Sequence, residues 1–186
     1  MSRDYDGIYH IRQEIAKYNG DDKLSDILER CFNWMCNEEE DNGCLIQTTS
    51  LYIAMCNLGY NTQICYGLCI LPNKQEFYHA WLELDNRIID VAIYGNIKWG
   101  LRCQHKTIQL PVIMATYKDA PFTYGKFCFD NDWKYANISI VDRMDIFSYI
   151  QNAPNQCVRK RIGYITNQSR ANVEEMIKKF AHKKFR

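Results

Sequence analysis

No run of apolar residues in this chain of 186 approaches the roughly 18 that a membrane-spanning helix requires. No apolar stretch follows Met1-Ser2-Arg3-Asp4-Tyr5-Asp6 either, so a secretory leader is not expected and a cytoplasmic protein is. Proline is scarce (4) and glycine sparse (9). Neither gathers with serine into a linker, and one domain over residues 1–186 is the expectation. Internal repeats and low-complexity tracts are missing, which sets aside solenoid and fibrous architectures. Histidine is rare, with four in the chain, and none stands at a ligand spacing from the pairs Cys31/Cys36 and Cys65/Cys69. A structural zinc is therefore not expected. What remains is the composition of an ordinary globular chain, 47% apolar and 24% charged, long enough to bury a core.

Cysteine, by contrast, is abundant and odd in number, at nine. Without export, most of these thiols are expected to be buried and reduced rather than paired. Cys31, Cys56, Cys65, Cys69 and Cys128 stand among apolar neighbours, where a free thiol behaves as a small hydrophobe. The net charge of +1 conceals an asymmetry, because nine Lys and Arg face two acids from Cys157 onward. An acidic partner for that basic end is one reading, with nucleic acid not favoured. In the preferred one, Lys178, Lys179, Lys183, Lys184 and Arg186 close a terminal helix, where cations suit the dipole.

The N-terminal third has a helical period. Ile8, Ile11, Ile15 and Tyr18 share a face, and Asn19-Gly20 marks a stop. A second helix starts with Asp21 or Asp22 as N-cap and buries Leu24, Ile27, Leu28, Cys31 and Met35. The polar, acidic run 37–42 then breaks the pattern. A third helix begins near Gly43, with Asp41 or Asn42 as N-cap, and carries Leu45, Thr49, Tyr52, Ile53 and Cys56 on one side. Gly59 ends it, where a left-handed residue costs glycine little. Cys44 thus falls in the first turn of a helix.

From Thr62 the period becomes extended. Strands are expected at 62–71, 77–84 and 87–92, with a turn at Pro72-Asn73-Lys74 and a two-residue hairpin turn at Asp85-Asn86. Beyond Gly95, strands are expected at 107–117 and 135–141 and helices at 143–152 and 172–185, with Glu175 as capping-box partner to Asn172. The fold class is α+β: N-terminal helices, with a cysteine at one helix N-terminus, packed on an antiparallel sheet.

The hairpin turn has a chemical consequence. A two-residue loop pairs Leu84 with Arg87, Trp81 with Asp90 and His79 with Ala92. Side chains alternate across a strand, so His79, Trp81 and Asp90 project from one face. His79 and Asp90 become diagonal neighbours within reach of a His-carboxylate hydrogen bond. A slip of one residue would separate them. A carboxylate on one imidazole nitrogen fixes the tautomer and leaves the other nitrogen for a nucleophile. Cys44 has the best location for that nucleophile, because N–H groups and the dipole at a helix N-terminus favour thiolate and can hold an oxyanion. The acids at 38–41 would oppose thiolate formation if they crowd the sulfur, and a protonated His79 would outweigh them. They are expected to form a solvated loop, the alternative being a lip that selects basic substrates.

Gly43-Cys44 opening a helix, Tyr78-His79-Ala80-Trp81-Leu82-Glu83, and Ile88-Ile89-Asp90, in that order, resemble the core of the transglutaminase-like superfamily of papain-related cysteine enzymes. Gly59-Tyr60 after the Cys helix and Gly67 in the following strand fit the same pattern. The resemblance covers residues 41–95, about a third of the chain. Its specific part is the His-Ala-Trp-x-Glu block with the Asp that follows; Gly-Cys alone is not specific. Within the group, the small bacterial leader-peptide proteases of the lasso-peptide type are similar in size and share a spacing like that from Cys44 to Ser50. The resemblance implies a transglutaminase-like, cysteine-proteinase fold, with Cys44 as nucleophile, His79 as general base and acid, and Asp90 as orienter. The chain departs from the pattern in having Gly43 and Leu45, not an aromatic residue, beside the nucleophile, and no calcium-binding acidic cluster. Gln47, one turn into the helix, is the weak candidate for second oxyanion donor. The half after Gly95, including the C-terminal helices at 143–186, matches nothing in the pattern and leaves substrate choice open.

Each residue also has a bland reading. Cys44 can be one more buried thiol, His79 a core histidine bonded to a carbonyl, and Asp90 a turn residue; their order and spacing favour the joint reading. Trp81 is expected to wall the site, a substrate contact being the weaker alternative. His10, His105 and His182 have no comparable setting. The expectation is a thiol peptidase or amidase acting on a peptide or protein through a Cys44 acyl-enzyme, with hydrolysis preferred to acyl transfer and no metal or organic cofactor. The rival is a non-catalytic module on the same scaffold that binds a protein or nucleic acid through its basic C-terminal helix. A coenzyme A-type acyltransferase is a third reading.

Overall fold

The computed structural model describes residues 5–38, 43–98, 110–126 and 144–185. Helix α1 (Tyr5–Tyr18) turns Ile11 and Ile15 into the core. It ends at Asn19, which adopts a left-handed φ of 57° and lets the Gly20 N–H reach the Ile15 carbonyl at 2.9 Å. Helix α2 (Asp22–Glu38) is capped by Asp21, whose carboxylate accepts from Leu24 N–H at 2.9 Å. Helix α3 (Cys44–Asn57) is the central helix: every residue from Gln47 to Met55 is buried, because β2 lies on one side and α2 and a later helix on others. Its N-cap is Gly43, not Asp41 or Asn42, which lie outside the described residues. Gly59, with φ of 94°, takes the left-handed position after its end.

Five strands follow in a single antiparallel sheet of order β4-β3-β2-β1-β5: β1 (Thr62–Ile70), β2 (Glu76–Leu84), β3 (Arg87–Asp90), β4 (Ile113–Thr116) and β5 (Thr123–Lys126). Asp85 and Asn86 have φ of 50° and 60°, the doubly left-handed loop that suits the twist of a hairpin. The register is the expected one, with Leu84 opposite Arg87 and Leu82 opposite Ile89. The expected strand 87–92 stops at Asp90, however, and the chain turns into helix α4 (Ala92–Lys98). The cause is Asp90 itself, whose Oδ1 accepts from Ile93 N–H at 3.0 Å and so caps the helix. His79 therefore has no sheet partner at Ala92. Of the expected strand 107–117 only Ile113–Thr116 (β4) is strand among the described residues 110–117; residues 107–109 and the expected strand 135–141 lie outside the described residues, and β5 was not foreseen.

The C-terminal part contains α5 (Ile146–Asn152), a 3-10 turn (Pro154–Gln156), α6 (Cys157–Thr166) and α7 (Arg170–Lys178). Asp145 caps α5, accepting from Ser148 N–H at 2.7 Å. Helix α7 begins one turn earlier than expected, because Ser169 rather than Asn172 is its N-cap, and it ends at Lys178 rather than Phe185. Glu175 accordingly pairs with Lys178 at 2.7 Å instead of completing a capping box. Helix α6, which packs on α2 and α3, was not foreseen.

Both faces of the sheet are covered. Ile64, Leu82, Leu84, Ile89 and Met114 join the helical core with Leu28, Phe32, Ile53 and Ile162. On the other face, Cys65, Cys69, Trp81, Ile88, Ile113 and Tyr124 enclose Ile93 and Ile97 of α4. The alternation along β2, Leu82 and Leu84 to one core and Trp81 to the other, is the period-two rule at work. No helix among the described residues is long and apolar enough to cross a membrane.

Candidate active site

The β2–β3 hairpin and α4 build the site between them. His79 on β2 and Asp90 at the end of β3 share the second face of the sheet, and both are almost completely buried. Their side chains meet at 2.7 Å, His79 Nε2 to Asp90 Oδ2. Asp90 is over-determined: Oδ2 also accepts from the Tyr124 hydroxyl at 2.7 Å, while Oδ1 caps α4 through Ile93 N–H. A carboxylate with three donors is fixed in orientation, and so is the imidazole it holds.

Cys44, the first residue of α3, is half-buried and near enough to His79 for the two to be coupled electrostatically. No side chain among the described residues caps this helix N-terminus. The first N–H groups of a helix have no internal partner, and this end of α3 carries the positive pole of the helix dipole. Burial works against a charge on His79, but the Asp90 carboxylate and then the Cys44 thiol outweigh it and raise the imidazole pKa from 6.5 to about 10. Tyr66 of β1 and Tyr149 of α5 lie near enough to the Cys44 sulfur to be coupled to it electrostatically. Burial first and the neighbouring sulfur second raise both hydroxyl pKa values, that of Tyr66 to about 12.

Trp81 is fully buried and nearly parallel to the His79 ring, with centroids 6.5 Å apart and planes at 16°. Its indole N–H donates to the Tyr117 hydroxyl at 3.1 Å, and that hydroxyl donates to Glu83 at 2.7 Å. Trp81 is a wall of the site, out of a substrate's reach. Gln47 is not brought to the triad either. It is buried inside α3 and its Oε1 accepts from the Cys31 thiol of α2 at 3.3 Å.

Asn96 on α4 escaped the sequence reading. Its carboxamide nitrogen donates to His79 Nδ1 at 2.9 Å, the ring atom Asp90 leaves open. The signal for it was weak: an Asp that could equally end a strand or cap a helix, with an Asn six residues later. Tyr124 was missed for another reason, since β5 is distant in sequence and meets Asp90 only through the curl of the sheet.

The remaining candidates lie elsewhere. Among the described residues, cysteines 31, 36, 44, 56, 65, 69 and 157 are not joined to one another in disulfides, and no group of His, Cys, Asp or Glu is arranged to hold a metal. Cys103, Cys128 and His105 are outside the described residues. His10 sits 4.0 Å from Glu14 on α1, and His182 is exposed in the C-terminal turn. Glu38 is exposed at the end of α2, and the rest of the acidic run is not described. The basic tail folds back on the domain: Lys179 donates to Asn57 at 2.8 Å, and Lys183 lies over the rings of Tyr52 and Phe180 at 5.3 and 5.7 Å.

Fold and site together define an α+β protein with a buried His79–Asp90 pair on its sheet and Cys44 at the N-terminus of its central helix. No family model, curated protein or solved structure matches the chain.

Proposed function

We propose that the chain is a thiol enzyme of the transglutaminase-like type that cleaves an amide bond in a peptide or protein, with Cys44 as nucleophile, His79 as general base and acid, and Asp90 as orienter. One observation carries this reading. A half-buried thiol at the uncapped N-terminus of α3 is coupled electrostatically to a buried imidazole whose Nε2 is locked on a carboxylate. A structural histidine would have no need of a partly accessible sulfur coupled to it.

Nε2 is held by Asp90, so Nδ1 receives the Cys44 proton once the Asn96 amide that donates to it has turned aside. The thiolate sulfur attacks the amide carbon, and the tetrahedral oxyanion sits against the first N–H groups of α3. The C–N bond then breaks and the Nδ1 proton passes to the leaving amine, leaving a thioester on Cys44. Water adds to the thioester, giving a proton to Nδ1, and release of the acid restores the thiol. Asn96 donates to Nδ1 of the resting neutral ring and gives up that bond for each proton transfer. Hydrolysis is preferred to transfer because nothing among the described residues resembles a dedicated seat for a second amine.

The test is alkylation by iodoacetamide at pH 6 to 7 with mass-spectrometric readout of every cysteine. Cys44 should react well ahead of the others, and His79→Ala should abolish the lead. Reaction no faster than that of an ordinary exposed thiol, or indifference to His79→Ala, would end the catalytic reading.

A further inference from the structure

We infer that Tyr124 is a positioning residue for His79 that acts through Asp90: its hydroxyl occupies part of the carboxylate oxygen that holds the imidazole, and so tempers how strongly that oxygen draws the Nε2 proton. The inference builds on the proposed triad, yet it can be read independently of it.

The geometry is not that of a casual neighbour. Tyr124 is on β5 and Asp90 on β3, with β1 and β2 between them. Strands are spaced about 4.8 Å apart, so a flat sheet would separate the two by about 14 Å, beyond the reach of a tyrosine. The contact at 2.7 Å exists because the sheet curls until its edge strand faces β3. Two features make room for the ring. Gly67, opposite His79 on β1, places no side chain on this face, and Trp81 receives the Tyr124 ring edge-on at a centroid distance of 5.0 Å.

The hydroxyl is a permanent donor. Burial above all, and then Asp90 and Cys69, raise its pKa well above 10, so it does not surrender its proton in the range where His79 titrates. Oδ2 thus carries two donors at 2.7 Å, His79 Nε2 and Tyr124 OH. Sharing an anionic oxygen between two donors weakens its pull on each. The titratable groups facing the His79–Asp90–Tyr124 string are Cys44 from α3, Cys69 from β1 and Tyr117 just after β4; Asn96 and Trp81 are its neutral neighbours.

Tyr124→Phe removes one oxygen and leaves the ring packing in place. The His79 titration is followed by imidazole ¹⁵N NMR from pH 6 to 11, and in parallel by the ratio of iodoacetate to iodoacetamide reactivity at Cys44, which falls as the imidazolium loses its charge. Tyr124→Phe should move the His79 titration upward by about half a unit or more, because the relieved carboxylate holds the imidazolium more strongly. In an Asp90→Asn background the same substitution should produce no shift. An unchanged titration, a downward shift, or an equal shift in both backgrounds would overturn the inference, since a purely structural hydroxyl alters stability and not the ring's titration. If Cys44 shows no lead in the wild type while the titration still moves, the catalytic reading fails and the Tyr124 coupling stands.

Discussion

Substituting Asp90 should separate the chemistry of the site from the stability of the fold. The carboxylate satisfies three donors in a dry interior: Ile93 N–H at 3.0 Å, His79 Nε2 at 2.7 Å and Tyr124 OH at 2.7 Å. Asp90→Ala strands all three. Each buried donor left unpaired costs about 1–3 kcal/mol, so a loss on the order of 4–6 kcal/mol is expected, less whatever local relaxation recovers. That is a large share of the roughly 5–15 kcal/mol that holds a domain folded. Asp90→Asn should be much milder, about 1–2 kcal/mol. Its oxygen can keep the α4 cap, and the Tyr124 hydroxyl can turn to accept from the new amide. His79 must then accept at Nε2, which forces its proton onto Nδ1, the nitrogen that has to receive the Cys44 proton. The Asn variant should therefore stay folded with its Cys44 lead gone. Urea unfolding followed by circular dichroism, together with cysteine-resolved alkylation, reads both arms. An Asn variant that keeps the lead would refute the tautomer argument. An Ala variant as stable as the Asn variant would refute the count of stranded donors.

Two further predictions follow from the same geometry. On a Cys44→Ser background, which removes the thiol's own titration, His79 should link stability to pH. Its folded pKa is raised from 6.5 to about 10 by Asp90 and, in the native chain, Cys44, against the effect of burial. The stability it contributes is thus complete below pH 6.5 and lost as pH rises through the folded value. Urea midpoints should fall across that window, and the slope should vanish when His79→Gln is added; parallel curves would contradict the raised pKa. Gln47→Leu should leave the Cys44 lead intact, because the amide is bonded to Cys31 in the helical core. A collapse of reactivity there would return Gln47 to the oxyanion role that the geometry denies it.

Some of this architecture follows from short stretches of sequence. The Asp85-Asn86 loop could be read because two adjacent residues tolerant of left-handed φ specify the hairpin turn, and a turn of known length sets the register of its strands. That register alone places His79, Trp81 and Asp90 on one face. The first three helices could be read because apolar spacing repeats over many turns and Asp21 stands at a start. At α7 the same reasoning chose Asn172 where Ser169 caps, since both residue types accept from a backbone N–H and only the packing of the turn before the helix selects between them.

Other features depend on distances that no local pattern encodes. Asp90 could end a strand or cap a helix; it does both, and the choice that creates α4 also brings Asn96 onto His79. Gln47 lies near Cys44 in sequence, yet the rotation of α3 sends its side chain to Cys31. Tyr124 reaches Asp90 only because the sheet curls over α4, a long-range shape set by filling the space between Trp81, Ile93 and Ile97. Turn chemistry and periodicity act over a few residues, and so they determine the hairpin, the helices and which side chains share a face. The approach of α3 to β2 and of β5 to β3 is settled by burial of apolar surface between segments far apart in the chain, and that packing is what brings a thiol to an imidazole and a tyrosine to its carboxylate.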